Sequence, residues 1–393
     1  MTAVIISPAG APPAEARDAD RPVLNFWIFG APFLVSIVYF FVMLADDSRI
    51  WAPALPILCV VATAIVAMIL ERNPCQLNTD VVWMVLAYCT LCLVLMLVEQ
   101  DTDSFAIRKL GLPLVGMAPA VFRYYVTPRQ LWVFLITLFV VAYVYTTETN
   151  YLASDGFFST DSPYESIIGV SFGAICVWLV ASKQWSLAAF AYAACVLFFK
   201  RNAIVTAPLV ALLVVAIQQT RPDDAPRVLR RIAQAGIPVL ALSALYLSAL
   251  FTLAAESIFH GYNPEFLSVG RTPIYDAILY DFDRSTVTEQ LLGHGTGSVE
   301  RLVAGLHALN GNLQLTHDEY LSWLYDFGVV GLMILVFAFA RLARSGVPAA
   351  AVLLFMAASM TGENYFLVSF NCLGVFILFS TNIVTVTRLA RAP

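Results

Sequence analysis

The chain has 393 residues, 60% of them hydrophobic and only 12% charged, with a mean hydropathy of +0.78. Soluble domains carry about 25% charged residues, so the composition excludes an ordinary soluble enzyme and predicts an all-α polytopic membrane protein built as one large helical domain. The net charge of −5 comes with no concentrated basic patch, which excludes nucleic acid as a partner.

Residues 1–25 contain Pro12, Pro13, Glu15, Asp18 and Asp20 but neither an apolar h-region nor an A-x-A site before the first long apolar run. They read as a disordered cytoplasmic tail rather than a signal peptide. A helix needs about 20 apolar residues to cross a bilayer, within a range of about 17–25. Twelve runs qualify: 26–45, 52–70, 80–98, 104–122, 131–147, 165–182, 185–199, 203–217, 233–253, 320–340, 347–362 and 366–387. They predict a single transmembrane domain over 26–387, with 388–393 as a second cytoplasmic tail. The weakest run is 104–122, which carries Arg108, Lys109, Gly111, Pro113, Gly116 and Pro119. The runs 185–199 and 203–217 are short and separated only by Lys200, Arg201 and Asn202, as in a tight hairpin.

Positive charge orients the bundle. With the N-terminus inside, 14 Lys and Arg residues fall on inner segments and 8 on outer ones, the inner segments 218–232 and 341–346 being the most basic. The segment 147–164 holds Glu148, Asp155 and Asp161 and no Lys or Arg, as expected of an outer loop. Both termini are then cytoplasmic. No internal repeat is visible, which speaks against a transporter. Six of the seven cysteines lie in apolar runs, Cys75 lies in an inner loop, and none lies in the long outer segment, so no disulfide framework is indicated. Cys89 and Cys92 form a C-x-x-C inside an apolar helix and read as small packed residues.

Residues 254–319 form the one extended outer segment. Ser298 is placed to cap a helix over 299–309, in which Val299, Leu302, Val303, Leu306 and Leu309 recur at helical spacing before Asn310-Gly311. A second helical stretch, 272–281, has Pro273 near its start. Both are expected to lie on the outer membrane surface and roof a cavity.

Along and around this segment stand Lys200-Arg201-Asn202-Ala203, Gly270-Arg271-Thr272, Gly293-His294-Gly295, His317-Asp318-Glu319-Tyr320-Leu321, and Asp326, Gly328 and Gly331. In this order and topology the chain resembles the O-antigen ligase/polymerase superfamily, the Wzy-type polysaccharide polymerases and O-antigen ligases. The motif resemblance covers 198–332, and the twelve-helix plan with a large loop after the ninth helix extends it to the whole chain. Two positions depart from the family pattern. Asp318 stands where the family has Asn, and Lys200 and Asn202 replace Ser and Gly around Arg201.

The resemblance implies a GT-C-like membrane glycosyltransferase in the bacterial inner membrane, its site facing the periplasm. Such an enzyme takes a glycan from an undecaprenyl-diphosphate carrier and passes it to an acceptor hydroxyl, with membrane lipids around it and a chain-length regulator as a further partner. It implies no cofactor and no metal. The leaving pyrophosphate calls for cations, and the guanidinium fork matches phosphate oxygens; Arg201 and Arg271 are the candidate pyrophosphate ligands. The incoming hydroxyl calls for a base, and His317 has the right pKa range. Asp318, Tyr320 and Lys200 are supporting candidates, Asp318 as a neighbouring carboxylate that makes His317 more basic.

Plainer readings stand beside these. Arg201 can snorkel at a helix end, Arg271 can be a surface residue and His317 an interfacial helix start. Glu319 reads as a first-turn charge favoured by the helix dipole, Gly328 and Gly331 as close-packing positions, and His294 and His307 as loop residues. Asp281-x-Asp283 has the form of a metal–nucleotide-sugar motif but falls on the outer side, where nucleotide sugars are absent. Asp46-Asp47 in the first outer loop offers a metal-dependent alternative. The leading function is polymerisation of lipid-linked repeat units into a surface polysaccharide or exopolysaccharide. Ligation of the glycan to another acceptor is the alternative within the family. A transporter or a secretion-complex subunit is the alternative outside it, although mid-span charges are scarce here.

Overall fold

The computed structural model describes residues 78–99, 117, 119–121, 123–153, 168–198, 201–247, 249–250, 253–254, 271–307, 318–361 and 377–383. The runs 26–45 and 52–70, most of 104–122, and both tails lie outside the described residues. Within them the protein is α-helical, with two three-residue strands. The helices are α1 (Thr79–Glu99), α2 (Pro128–Ala153), α3 (Ile168–Ala181), α4 (Trp185–Leu197), α5 (Arg201–Thr220) and α6 (Ala225–Ala244). The segment 254–319 adds α7 (Thr272–Arg284), α8 (Val287–Leu292) and α9 (Ser298–His307), and α10 (Glu319–Leu342) and α11 (Val347–Ser359) follow.

The two innermost helices are α3 and α11. Every residue of α3 is buried, as expected of a helix that is apolar all round. It approaches α11 closely at Gly173, where a Cβ would come 2.7 Å from the ring of Phe355. Around this pair pack α4, α5, α6 and α10. Helix α5 turns Ala203, Ala207, Val210, Val214 and Ile217 inward, a spacing of four and three that keeps one stripe on the core. Helix α6 begins eight residues before the apolar run at 233. Its first turns carry Arg227, Arg230 and Arg231, yet Ala225, Leu229, Ala233 and Ile237 still form a buried stripe. A hydropathy window averages that amphipathic turn away.

Two sets of contacts mark opposite ends of the bundle. At one end Gln218 Nε2 donates to Ala181 O, Gln234 Nε2 donates to Ala340 O, and Arg341 Nε reaches Asp80 Oδ1 at 2.9 Å. Lys183, Arg221, Arg227, Arg230, Arg231 and Arg344 belong to the helix ends and turns that meet there. At the other end the first residues of α5 and α10 meet the last turn of α11.

The chain departs from the expected helix over 366–387. Its described part is a 3₁₀ turn, Ile377–Ser380, followed by β2 (Thr381–Ile383), which pairs in parallel with β1 (Tyr124–Val126). The β-branched Thr381, Ile383 and Val126 suit a strand, and polar contacts hold the junction. Asn78 Nδ2 donates to Ser380 Oγ at 2.9 Å, the Asn78 backbone N–H donates to Val121 O at 2.7 Å, and Ser380 Oγ donates to Ala120 O.

Candidate functional site

The C-terminal carbonyls of a helix have no acceptor role inside it and need outside donors. In α11 two other helices supply them. Ser359 O accepts from Asn202 Nδ2 at 3.0 Å and Met360 O accepts from the Glu319 N–H at 3.0 Å. One turn back, Tyr320 is fully buried and its hydroxyl donates to Ala357 O at 3.0 Å. The N-terminus of α5, which begins at Arg201, and the N-terminus of α10, which follows Asp318, are therefore set side by side. Each helix start carries about half a positive charge, which the carbonyl end of α11 and the buried Asp318 carboxyl meet.

Asp318 is the N-cap of α10. Its Oδ1 accepts from the Tyr320 N–H at 2.9 Å and the Leu321 N–H at 3.1 Å, which satisfies two donors of the first turn. The side chain is fully buried, and Oδ2 has no hydrogen-bond partner among the described residues. Burial pushes the pKa of this carboxyl well above the ordinary carboxylate range, the two backbone hydrogen bonds oppose the shift, and the neighbouring Glu319 adds to it. Asp318 Oδ1 thus faces the first turn of its own helix. His317 and Lys200 lie outside the described residues, as does the side chain of Arg201.

The shift has a sign that can be measured. A carboxyl whose folded value is raised contributes stability that is present below its unfolded pKa and lost as pH rises through the folded value. Asp318→Asn keeps the accepting oxygen and removes the titration. Its melting temperature in detergent should be at least that of the parent near neutral pH and should fall less between pH 5 and 9. Asp318→Ala should lose about 1 kcal/mol of capping energy. An Asn variant less stable than the parent throughout that range would mean that the ionised carboxylate is required.

Arg271 stands on a different layer. It is the half-buried N-cap of α7. That helix reaches α10 through a second apolar cluster, in which Ile274 and Ile278 pack with Val299, Val303 and Tyr325. The structure brings Arg201 and the Asp318 start together through α11, and sets Arg271 on the outer cover of α10.

The tightest outer packing falls on residues that read as loop and packing positions. Gly328 has φ +66° and ψ −171° in the middle of α10, so the helix kinks there. Into the kink fits the run 293–297, in which Gly293, Gly295 and Gly297 all have positive φ. The Asp326 carboxylate is fully buried and accepts from the Gly297 N–H at 2.8 Å and the Val299 N–H at 2.9 Å. It therefore caps α9 across the chain. Ser298, the cap expected from the sequence, instead donates to His294 O and accepts from Arg301.

His294 stacks on Tyr325 at 4.2 Å between ring centres and 7° between planes. Its Nδ1 faces Tyr325 O at 3.2 Å and its Nε2 lies 2.7 Å from Ser285 Oγ. The Tyr325 hydroxyl donates to Asp281 Oδ2 at 2.5 Å, so the first acid of the D-x-D motif is engaged by a phenol. The signal for this knot was present in the sequence as alternating glycines, a pattern that neither helix nor strand favours. Its partner at Gly328 was not. No group of three or more His, Cys, Asp or Glu side chains able to hold a metal ion occurs among the described residues. The chain matches no protein-family model and no curated protein.

Proposed function

We propose that this protein is a twelve-span, GT-C-like glycosyltransferase of the bacterial inner membrane. It polymerises undecaprenyl-diphosphate-linked oligosaccharide units into a surface polysaccharide or exopolysaccharide on the periplasmic side. Two helices, Asn202–Thr220 and Glu319–Ser345, are long and apolar enough to cross a membrane. The bundle also exposes apolar side chains at helical spacing, among them Val205, Leu209 and Leu212 on α5 and Met333 and Phe337 on α10. Helices apolar on both faces suit a lipid surround. The basic end of the bundle fits the cytoplasm, which leaves the Arg201 and Asp318 ends outside.

The observation that carries the reading is the meeting of the α5 and α10 N-termini on the last turn of α11. It brings Asn202 and Glu319, far apart in sequence, onto adjacent carbonyls of α11. In the proposed reaction His317 takes the proton of an acceptor hydroxyl as its oxygen attacks the anomeric carbon. The bond from that carbon to the diphosphate oxygen breaks, and the electron pair leaves with the lipid diphosphate, whose charge Arg201 and Arg271 neutralise. Membrane lipids, the growing polysaccharide and a chain-length regulator are the partners this requires. Asp318 orders the start of α10, and with it the position of His317.

Membranes containing the protein should lengthen an undecaprenyl-diphosphate-linked oligosaccharide on a gel, with or without chelator. If each guanidinium grips phosphate as a fork, an ammonium cannot replace it. Arg201→Lys and Arg271→Lys should each lose about tenfold or more in rate, the Ala variants should lose more, and Lys200→Ala should lose less. Full activity in both Lys variants, or loss in chelator restored by Mg²⁺ or Mn²⁺, would move the site to Asp46 and Asp47.

A further inference from the structure

Helix α8 is built inside out for a protein segment in water. None of its residues is buried. Val287 is 72% exposed, Leu291 48% and Leu292 45%, while Gln290 turns in and donates to Phe282 O and Asp283 O at the end of α7. Its N-terminal donors are met by a capping box: Thr286 Oγ1 accepts from the Glu289 N–H, and the Glu289 carboxylate accepts from the Thr286 N–H and hydroxyl. Thr286 and Glu289 thus engage each other at the start of the turn, Thr288 is exposed, and Val287, Leu291 and Leu292 face out.

The outward apolar surface of α10 begins where α8 docks. Residues 319–328 of α10 are buried on every side, whereas Val329 and Val330 are partly exposed, Met333 is 66% exposed and Phe337 71%. A Cβ at Gly328 would come 2.4 Å from Leu291 O, so the end of α8 lies directly on the kink. The exposed Leu291 and Leu292 thus stand at the level where the outward apolar face of α10 begins.

The levels of α5 and α10 require something to fill this side. Both helices start against adjacent carbonyls of α11, so their first turns are level. On α5 the outward apolar face begins at Val205, about 6 Å below Arg201 at 1.5 Å per residue. On α10 it begins only at Val329, ten residues after Glu319 and just past the kink at Gly328. A bilayer surface is flat across a bundle of this width, so the first turns of α10, before the kink, are faced by the segment that carries α8 instead. On α7, Arg284 lies over the exposed ring of Tyr280 at 4.1 Å, an aromatic–cation pair suited to the headgroup level.

We infer that α8 is immersed in the outer leaflet, with Val287, Leu291 and Leu292 against acyl chains, so that the outer segment is anchored in the bilayer beside the kink of α10. The inference rests on the membrane-spanning reading proposed above and concerns a different surface from the catalytic end.

Nitroxide labels at Leu291→Cys and Leu292→Cys, in a chain whose seven native cysteines are replaced by Ala, would be read by power saturation in phosphatidylethanolamine–phosphatidylglycerol vesicles. Met333→Cys serves as the lipid reference and Asp223→Cys as the aqueous one. Labels at 291 and 292 should favour collision with oxygen over a nickel chelate, as at 333 and opposite to 223. Nickel preference at 291 and 292 with oxygen preference at 333 would place α8 in water and overturn the anchor alone. Shielding of 291 and 292 from both reagents would mean that protein covers them, with the same result. Nickel preference at 333 as well would overturn the membrane reading together with the anchor. Should the cysteine-free chain not fold, Leu291→p-benzoylphenylalanine in the native chain should give phospholipid adducts on irradiation. Adducts to protein only, or none, would overturn the anchor.

Discussion

Replacing His317 by Ala is expected to abolish polymer formation while the protein accumulates in the membrane at its normal level. Loss of a general base costs about 10²–10⁴ in rate, below what a polymer gel detects. The fold should tolerate the change, because the α10 start is held by Asp318 on the Tyr320 and Leu321 N–H groups and by the Tyr320 hydroxyl on Ala357 O. The measurement is polymer per unit of protein, with insertion checked on the same membranes. Near-normal polymer from the Ala variant would remove His317 from the chemistry.

Substituting Ala at Gly293 or Gly328 is expected to undock the outer cover. At Gly293, φ is +90° and a Cβ would come 2.1 Å from Asp326 O. At Gly328, φ is +66° and a Cβ would come 2.4 Å from Leu291 O and 2.6 Å from Gly293 N. The backbone strain and the overlap are each worth about 1–3 kcal/mol, and the opposing atoms are backbone, which cannot turn aside. Hydrogen exchange over 287–307 should rise sharply in both variants, and activity should fall with it. Gly305 is the control. It lies on the exposed face of α9 with nothing within 4 Å of an added Cβ, so Ala there should be neutral or gain up to about 1 kcal/mol. A Gly328→Ala variant as well protected as Gly305→Ala would mean that the kink is not needed.

Local pattern carried much of the helical architecture. The runs 165–182, 185–199, 320–340 and 347–362 each correspond to a helix with ends within a few residues, because a long apolar stretch bounded by charge or Pro has one low-energy state. The amphipathic α7 and α9 were legible for the same reason. The short α8 was not, since six residues hold too little periodicity to register. The strand pair was hidden as well: Thr381–Ile383 reads as the tail of an apolar run until Tyr124–Val126 is beside it.

The sequence by itself determined that the described residues are mostly helical, that 60% of the chain is hydrophobic, and that His317, Arg201 and Arg271 stand near the ends of its apolar stretches. Each of these depends on neighbours in the chain. Tertiary structure alone decided which helix ends meet. It set Asn202 and Glu319 on adjacent carbonyls of α11, made Asp318 a buried cap, and gave the cap of α9 to Asp326. It also made Gly328 a kink rather than a packing surface. A buried hydrogen-bonding group must find a partner somewhere, but its own sequence does not say on which helix, because that depends on how the whole bundle packs.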